Sequence, residues 1–166
     1  MLTQLSEQES ARLFYQLVSA IGYLHSIQVS HRDIKPSNIL MDQRLDLKLI
    51  DFGLGNSFVK GKGLKTSCGS PCFAAPEIIN GVEYDPVKVD VWSLGVCLYC
   101  MLVGRLPFDE DNKKDLYKKI RTCQYKTPSY LSMTAIQLIS SMLNLSPAAR
   151  PTPAQILTSN FFMKMA

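Results

Sequence analysis

The residues His31-Arg32-Asp33-Ile34-Lys35-Pro36-Ser37-Asn38, followed by Asp51-Phe52-Gly53 and then Ala75-Pro76-Glu77, hold most of the chemistry this chain could do. Asp33 and Lys35 stand two apart, and in an extended loop that spacing sends a carboxylate and an ammonium the same way. Asn38 and Asp51 add hard oxygen donors, the type magnesium takes when it also holds phosphate oxygens. Such a set suits chemistry that asks little covalent work of a protein and depends on positioning and on neutralising charge. Any one of these tripeptides is by itself more often a turn or a helix cap than a site. All of them in this order are not a set of turns.

These groups need elements to hold them. Residues 6–25 carry Ala11, Phe14, Leu17, Val18, Ile21 and Leu24 at helical spacing, with Ser6 and Glu9 as a capping box, so a helix leads into the loop. Residues 39–41 and 47–50 read as two short strands around a polar turn at 42–46, a hairpin that brings Asn38 and Asp51 near each other. Between 53 and 70 lie Gly53, Gly55, Gly61, Gly63 and Gly69 with Lys60, Lys62 and Lys65, the composition of a mobile loop. Further helices are expected at 87–103, 113–121, 134–143 and 153–157. The fold class is mainly α with one short β-hairpin, in a single domain without repeats or an internal linker.

The motifs resemble those of eukaryotic serine/threonine protein kinases, and the resemblance covers essentially the whole chain. Asp90-Val91-Trp92-Ser93-Leu94-Gly95 looks like the kinase central-helix motif, whose aspartate steadies the catalytic-loop backbone; Gly104-Arg105-Leu106-Pro107-Phe108 also fits, as does Arg150 as the ion-pair partner of Glu77. Asp51-Phe52-Gly53-Leu54-Gly55-Asn56 and the run Leu64 to Pro71 look like the AMP-activated branch of the calcium/calmodulin-dependent group. The resemblance implies a protein-kinase-like fold, C-terminal lobe only, spanning residues 1–166, and transfer of the ATP γ-phosphate to serine or threonine of protein substrates. By its roles Asp33 orients the substrate hydroxyl and Lys35 offsets charge on the transferring phosphate, a lysine there marking the serine/threonine type. Asn38 and Asp51 hold magnesium, Leu40 floors the adenine pocket, and His31 packs behind the loop. Thr66 is the expected regulatory phosphosite, set by an upstream kinase, with Arg32 receiving the phosphate, helped by Lys60 or Lys65. Ser70 and Pro71 belong to the substrate platform.

This sequence departs from the branch at several places. Gly55 and Phe73 replace a serine and a tyrosine, and Ser37 and Cys100 stand where many such kinases carry glutamates that pair with a substrate arginine. The glycine-rich loop and strand lysine of a small lobe do not occur in these residues. Two function classes follow: a serine/threonine kinase using ATP and Mg2+, or a non-catalytic interaction module built on the same lobe.

Composition narrows the partners. A chain of 166 residues buries about two thirds of its unfolded surface, enough for a core. The net charge of +4 is mild, with lysines scattered or gathered in one loop, and supports no nucleic-acid partner. The polar Thr3, Gln4 and Ser6 do not read as a leader, and the apolar run 87–103, interrupted by Lys88 and Asp90, reads as a buried helix and not a membrane span. Cys97 and Cys100 have Cys-x-x-Cys spacing but no second pair or histidine beside them, so all cysteines are expected to be reduced thiols of an intracellular, cytoplasmic or nuclear protein.

Overall fold

The structure, a computed structural model, describes residues 3–44, 46–65 and 69–163. In chain order the elements are α1 (Glu7–Ser26), β1 (Val29–Ser30), β2 (Ile39–Met41), β3 (Leu47–Leu49), β4 (Asn56–Ser57), α2 (Pro76–Ile79), α3 (Pro86–Val103), α4 (Lys113–Arg121), α5 (Met133–Met142), α6 (Pro153–Leu157) and α7 (Asn160–Met163). The turns Pro36–Asn38, Pro71–Phe73 and Pro147–Ala149 are 3-10 helices, each opening on a proline whose missing N–H and fixed φ suit a first helical position.

α3 is the axis of the domain. It is apolar on every side and therefore needs cover on every side, which α1 and α5 supply while α6 packs on α1 and α2 on α4. By length and apolarity α3 could cross a membrane, yet 78% of it is buried inside the domain. Gly95 sets the α3–α5 approach: a Cβ there would stand 2.9 Å from Met142 Cβ and 3.0 Å from Leu143 Cδ2. Trp92 stacks on Phe108 with ring centroids 5.7 Å apart, both fully buried.

α1 forms where its apolar stripe predicts, burying Ala11, Phe14, Leu17, Val18 and Ile21, and Ser6 and Glu9 make the expected reciprocal cap. The hairpin pairs Ile39 with Leu49 and Met41 with Leu47. Three expectations are corrected. The fold holds a second antiparallel pair, β1 with β4, matching Val29 to Ser57; strands of two residues rich in Ser and Asn carry no period to read. β4 also lies inside the segment expected to be loop throughout, which is tied again where Leu64 and Tyr84 exchange backbone hydrogen bonds of 2.8 and 2.9 Å. α5 starts at Met133, one residue early, because the Ser132 hydroxyl caps it by accepting from the Ala135 N–H.

Candidate active site

The loop carrying Asp33 is hung on a buried carboxylate. Asp90, fully buried on α3, accepts the His31 N–H at 3.0 Å and the Arg32 N–H at 2.9 Å, and its Oδ2 also meets His25 Nε2 at 2.8 Å. Arg32 is thereby held at φ 63°, a left-handed conformation that costs a non-glycine residue about 1–3 kcal/mol. His31 completes the arrangement from within: its Nδ1 accepts the Asp33 N–H at 3.3 Å and its Nε2 donates to the Ile50 carbonyl at 3.1 Å, packed behind the loop as expected. Asp90→Ala should therefore lower stability by about 3 kcal/mol or more, since hydrogen bonds to a charged group contribute about 1.5–3 kcal/mol each. It should also speed amide exchange at His31 and Arg32 selectively. Unchanged exchange at those two amides would remove Asp90 from this role.

Asp33 and Lys35 do point together. Lys35 Nζ lies 2.8 Å from Asp33 Oδ2, and Asn38 Nδ2 donates to the same oxygen at 3.1 Å and to the Asp33 carbonyl at 2.8 Å. Ser70 enters the same cluster: its hydroxyl accepts from Lys35 Nζ at 2.8 Å, and its hydroxyl and N–H reach Asp33 Oδ1 at 3.4 and 3.3 Å. Gly69 permits this approach, because at φ 94° a Cβ would stand 2.9 Å from the Arg32 carbonyl oxygen. Burial pushes the Asp33 carboxyl up, but the Lys35 hydrogen bond and charge, the Asn38 amide and the Ser70 N–H outweigh it and hold it below the ordinary value. Asp33 is thus ionised at neutral pH. The stability it contributes is present above the unfolded carboxylate value and is lost as pH falls through the lower folded one.

The hairpin places the oxygen donors. Asn38 and Asp51 flank its open end, where the Ile50 N–H donates to the Asn38 carbonyl at 2.9 Å. Asp51 sits at φ 63° with its Oδ1 accepting the Gly53 N–H at 3.2 Å, and it is exposed. With the Asn38 amide nitrogen turned to Asp33, its Oδ1 accepts no hydrogen bond among the described residues. One carboxylate and one amide oxygen fit magnesium, which usually takes one or two protein ligands and completes its shell with water and substrate phosphates. Among the described residues no group of three or more His, Cys, Asp or Glu could hold a metal by itself.

The remaining expected residues divide. Leu40, Ile50 and Phe52 are 50%, 37% and 48% exposed, forming an apolar surface beside Asn38 and Asp51. Pro71 opens the 3-10 turn after Ser70. The Arg32 guanidinium, expected to await a phosphate, donates instead to the Leu54 carbonyl at 2.8 Å and the Tyr84 hydroxyl at 3.2 Å. Thr66, with Ser67 and Cys68, lies outside the described residues. Glu77 and Arg150 pair as expected, at 2.6 and 2.8 Å. Two participants had no role in the sequence reading. His25 meets Asp90 from 65 positions away, with no local pattern to mark it, and Ser93, quoted only as part of the Asp90–Gly95 motif, donates its Oγ–H to the Phe73 carbonyl at 3.0 Å.

Comparison with known proteins agrees over nearly the full chain. Residues 2–162 match the protein kinase domain. SNF1-like protein kinase ssp2 of Schizosaccharomyces pombe is 47% identical over 159 residues, covering 96% of this chain and 28% of that protein. Serine/threonine protein kinase OSK3 of Oryza sativa subsp. japonica is 48% identical over 159 residues, covering 96% and 31%. The carbon catabolite-derepressing protein kinase of Saccharomyces cerevisiae is 46% identical over 159 residues, covering 96% and 25%. The chain thus spans between 25% and 31% of the length of these relatives.

Proposed function

We propose, because the chain belongs to the protein kinase domain family and within it to the SNF1-like serine/threonine kinases, that residues 1–166 are the C-terminal lobe of a kinase that moves the ATP γ-phosphate to serine or threonine of protein substrates. The observation that carries this reading is the Asp33 carboxylate, ionised, buried and set 2.8 Å from Lys35 Nζ. In the reaction Asp33 accepts a hydrogen bond from the substrate hydroxyl and aligns it for in-line attack. Lys35 offsets charge on the transferring group. Asn38 and Asp51 would hold magnesium, which would supply charge neutralisation at the phosphates. Leu40 floors the adenine site, and Ser70 and Pro71 begin the surface on which the substrate lies.

Control by an upstream kinase belongs to the same reading. A phosphate on Thr66 brings nearly two negative charges and three acceptor oxygens, and Arg32, which now binds two neutral oxygens, gains a charged partner by turning to it. An intracellular location goes with such protein substrates.

The nucleotide site needs groups above as well as below, and the glycine-rich lid and strand lysine are not among these residues. The purified 166-residue chain should therefore incorporate negligible radiolabel from ATP, because positioning supplies the catalysis and half of it is missing. Fusing the OSK3 small lobe ahead of Leu5 should restore incorporation. Robust labelling by the chain alone, lost in Asp33→Asn, would sink the single-lobe assignment; a fused enzyme that stays silent would sink the catalytic one. The exposed face of Leu40, Ile50 and Phe52 supports a second reading, a lobe that docks a partner without catalysis, and the silent fusion would favour it.

A further inference from the structure

A hydrogen bond from a loop to a carboxylate places the loop only if the carboxylate is itself placed. Asp90 takes the His31 N–H on Oδ2 and the Arg32 N–H on Oδ1, and both donors belong to the loop that needs holding. α3 fixes the Asp90 backbone, while its side chain keeps two torsions, of which the one at the carboxylate is broad and soft. His25 donates to the same group from outside the loop. It stands in the last turn of α1 with Nε2 at 2.8 Å from Asp90 Oδ2.

His25 is itself held. Its side chain is only 9% exposed, and its ring meets Phe58 edge-on, with centroids 6.5 Å apart and planes at 83°. Phe58 is tied in turn, its N–H donating to the Gln28 carbonyl at 2.9 Å. With a carboxylate oxygen facing Nε2, that nitrogen carries the proton and Nδ1 is left as a bare acceptor. Nδ1 is buried and has no hydrogen-bond partner among the described residues, which costs free energy. A phenyl ring would pack on Phe58 without that cost. Packing therefore does not account for an imidazole at this position, and the bond from Nε2 to Asp90 does.

We propose that His25 is a positioning residue for Asp33. By clamping the Asp90 carboxylate from α1, it fixes the two acceptor oxygens that keep Arg32 in its left-handed conformation and so sets where the next residue, Asp33, presents its side chain. The path is short, and it is closed on the other side by the Asp33 N–H donating to His31 Nδ1 at 3.3 Å. This role rests on the reading of Asp33 as the group that aligns the substrate hydroxyl; the clamp itself does not.

Two variants of the whole chain test it. His25→Phe keeps a ring against Phe58 and removes the donor, whereas His25→Gln carries an amide N–H that reaches the place of Nε2. In His25→Phe, amide exchange at His31 and Arg32 should rise about tenfold or more relative to Val96 and Leu98 of α3, the factor given by loss of one hydrogen bond to a charged group. His25→Gln should bring it back to within about threefold of the natural chain. Referring the rates to α3 separates the clamp from a general loss of stability. In the enzyme joined to the OSK3 small lobe, His25→Phe should lower kcat about tenfold or more with nucleotide affinity held within about twofold, and His25→Gln should restore it. Exchange that rises equally at all four amides, a Gln variant no better than Phe, or a kcat unmoved by His25→Phe would each overturn the positioning role. A joined enzyme that is silent with His25 in place would instead overturn the catalytic reading, and the exchange rates would still decide the clamp.

Discussion

In a two-lobed enzyme made by joining the small lobe of a relative to this chain, Asp33→Ala removes phosphoryl transfer by roughly 10²–10⁴-fold, the range for loss of a positioned acid–base group, and leaves nucleotide affinity within about twofold. Asp51→Ala removes transfer as well, by another route. It should weaken magnesium-dependent nucleotide binding about tenfold or more, because the carboxylate proposed to hold the ion is gone. The geometry separates the two. Asp33 spends its oxygens on Lys35, Asn38 and Ser70, all protein groups around a point where a hydroxyl can enter. Asp51 is exposed at the end of the hairpin and, among the described residues, accepts only the Gly53 N–H. The discriminating measurement is nucleotide affinity by fluorescence titration with and without magnesium, beside steady-state rates. Equal loss of affinity in both variants would show that the roles are misassigned.

How much of this was readable beforehand depends on the range over which each signal acts. α1 was legible because an apolar stripe and a reciprocal cap are local, and α4 because Asn112 caps a helix with a clear polar face; their bounds follow the chain itself. The cluster of Asp33, Lys35 and Asn38 was legible because it lies within one short run. What could not be read are the long-range choices. Ser70 comes to Asp33 from 37 positions away, across a segment whose glycines say only that the backbone is permissive. β1 and β4 pair through two residues each, too few for a period. Arg32 is not a residue type that announces a left-handed backbone, and it takes one because Asp90 holds its N–H. The fold thus imposes the backbone conformation of the loop that carries Asp33, and only the resemblance pointed to the aspartate that imposes it.

The segment that carries Ser70 and Pro71 is anchored at its far end by an ion pair with almost no access to water, and breaking that pair should be costly. Arg150 donates two parallel bonds to Glu77, at 2.6 and 2.8 Å, from a side chain that is 0% exposed. It also donates to the Asn144 and Lys88 carbonyls, each at 2.9 Å, and lies 5.0 Å over the Trp92 ring. Arg150→Met keeps much of the volume but leaves a buried carboxylate unpaired and removes the guanidinium's bonds to two carbonyls. The expected loss is about 3–5 kcal/mol, about a fifth or more of the stability of an ordinary domain. Glu77→Gln should cost less, since the amide oxygen still accepts from the guanidinium. The double variant of Arg150→Met with Glu77→Leu should recover part of the loss, because no charge is then buried alone; attraction between two groups that merely touch would give no such coupling. Urea unfolding of the natural chain, Arg150→Met, Glu77→Leu and their double variant measures it. If Arg150→Met costs under about 1 kcal/mol, or if the double variant is as unstable as the sum of its parts, Glu77 and Arg150 do not act as a pair. The platform after Ser70 is then held to α3 by something else, with the Ser93 hydroxyl on the Phe73 carbonyl the next contact to remove.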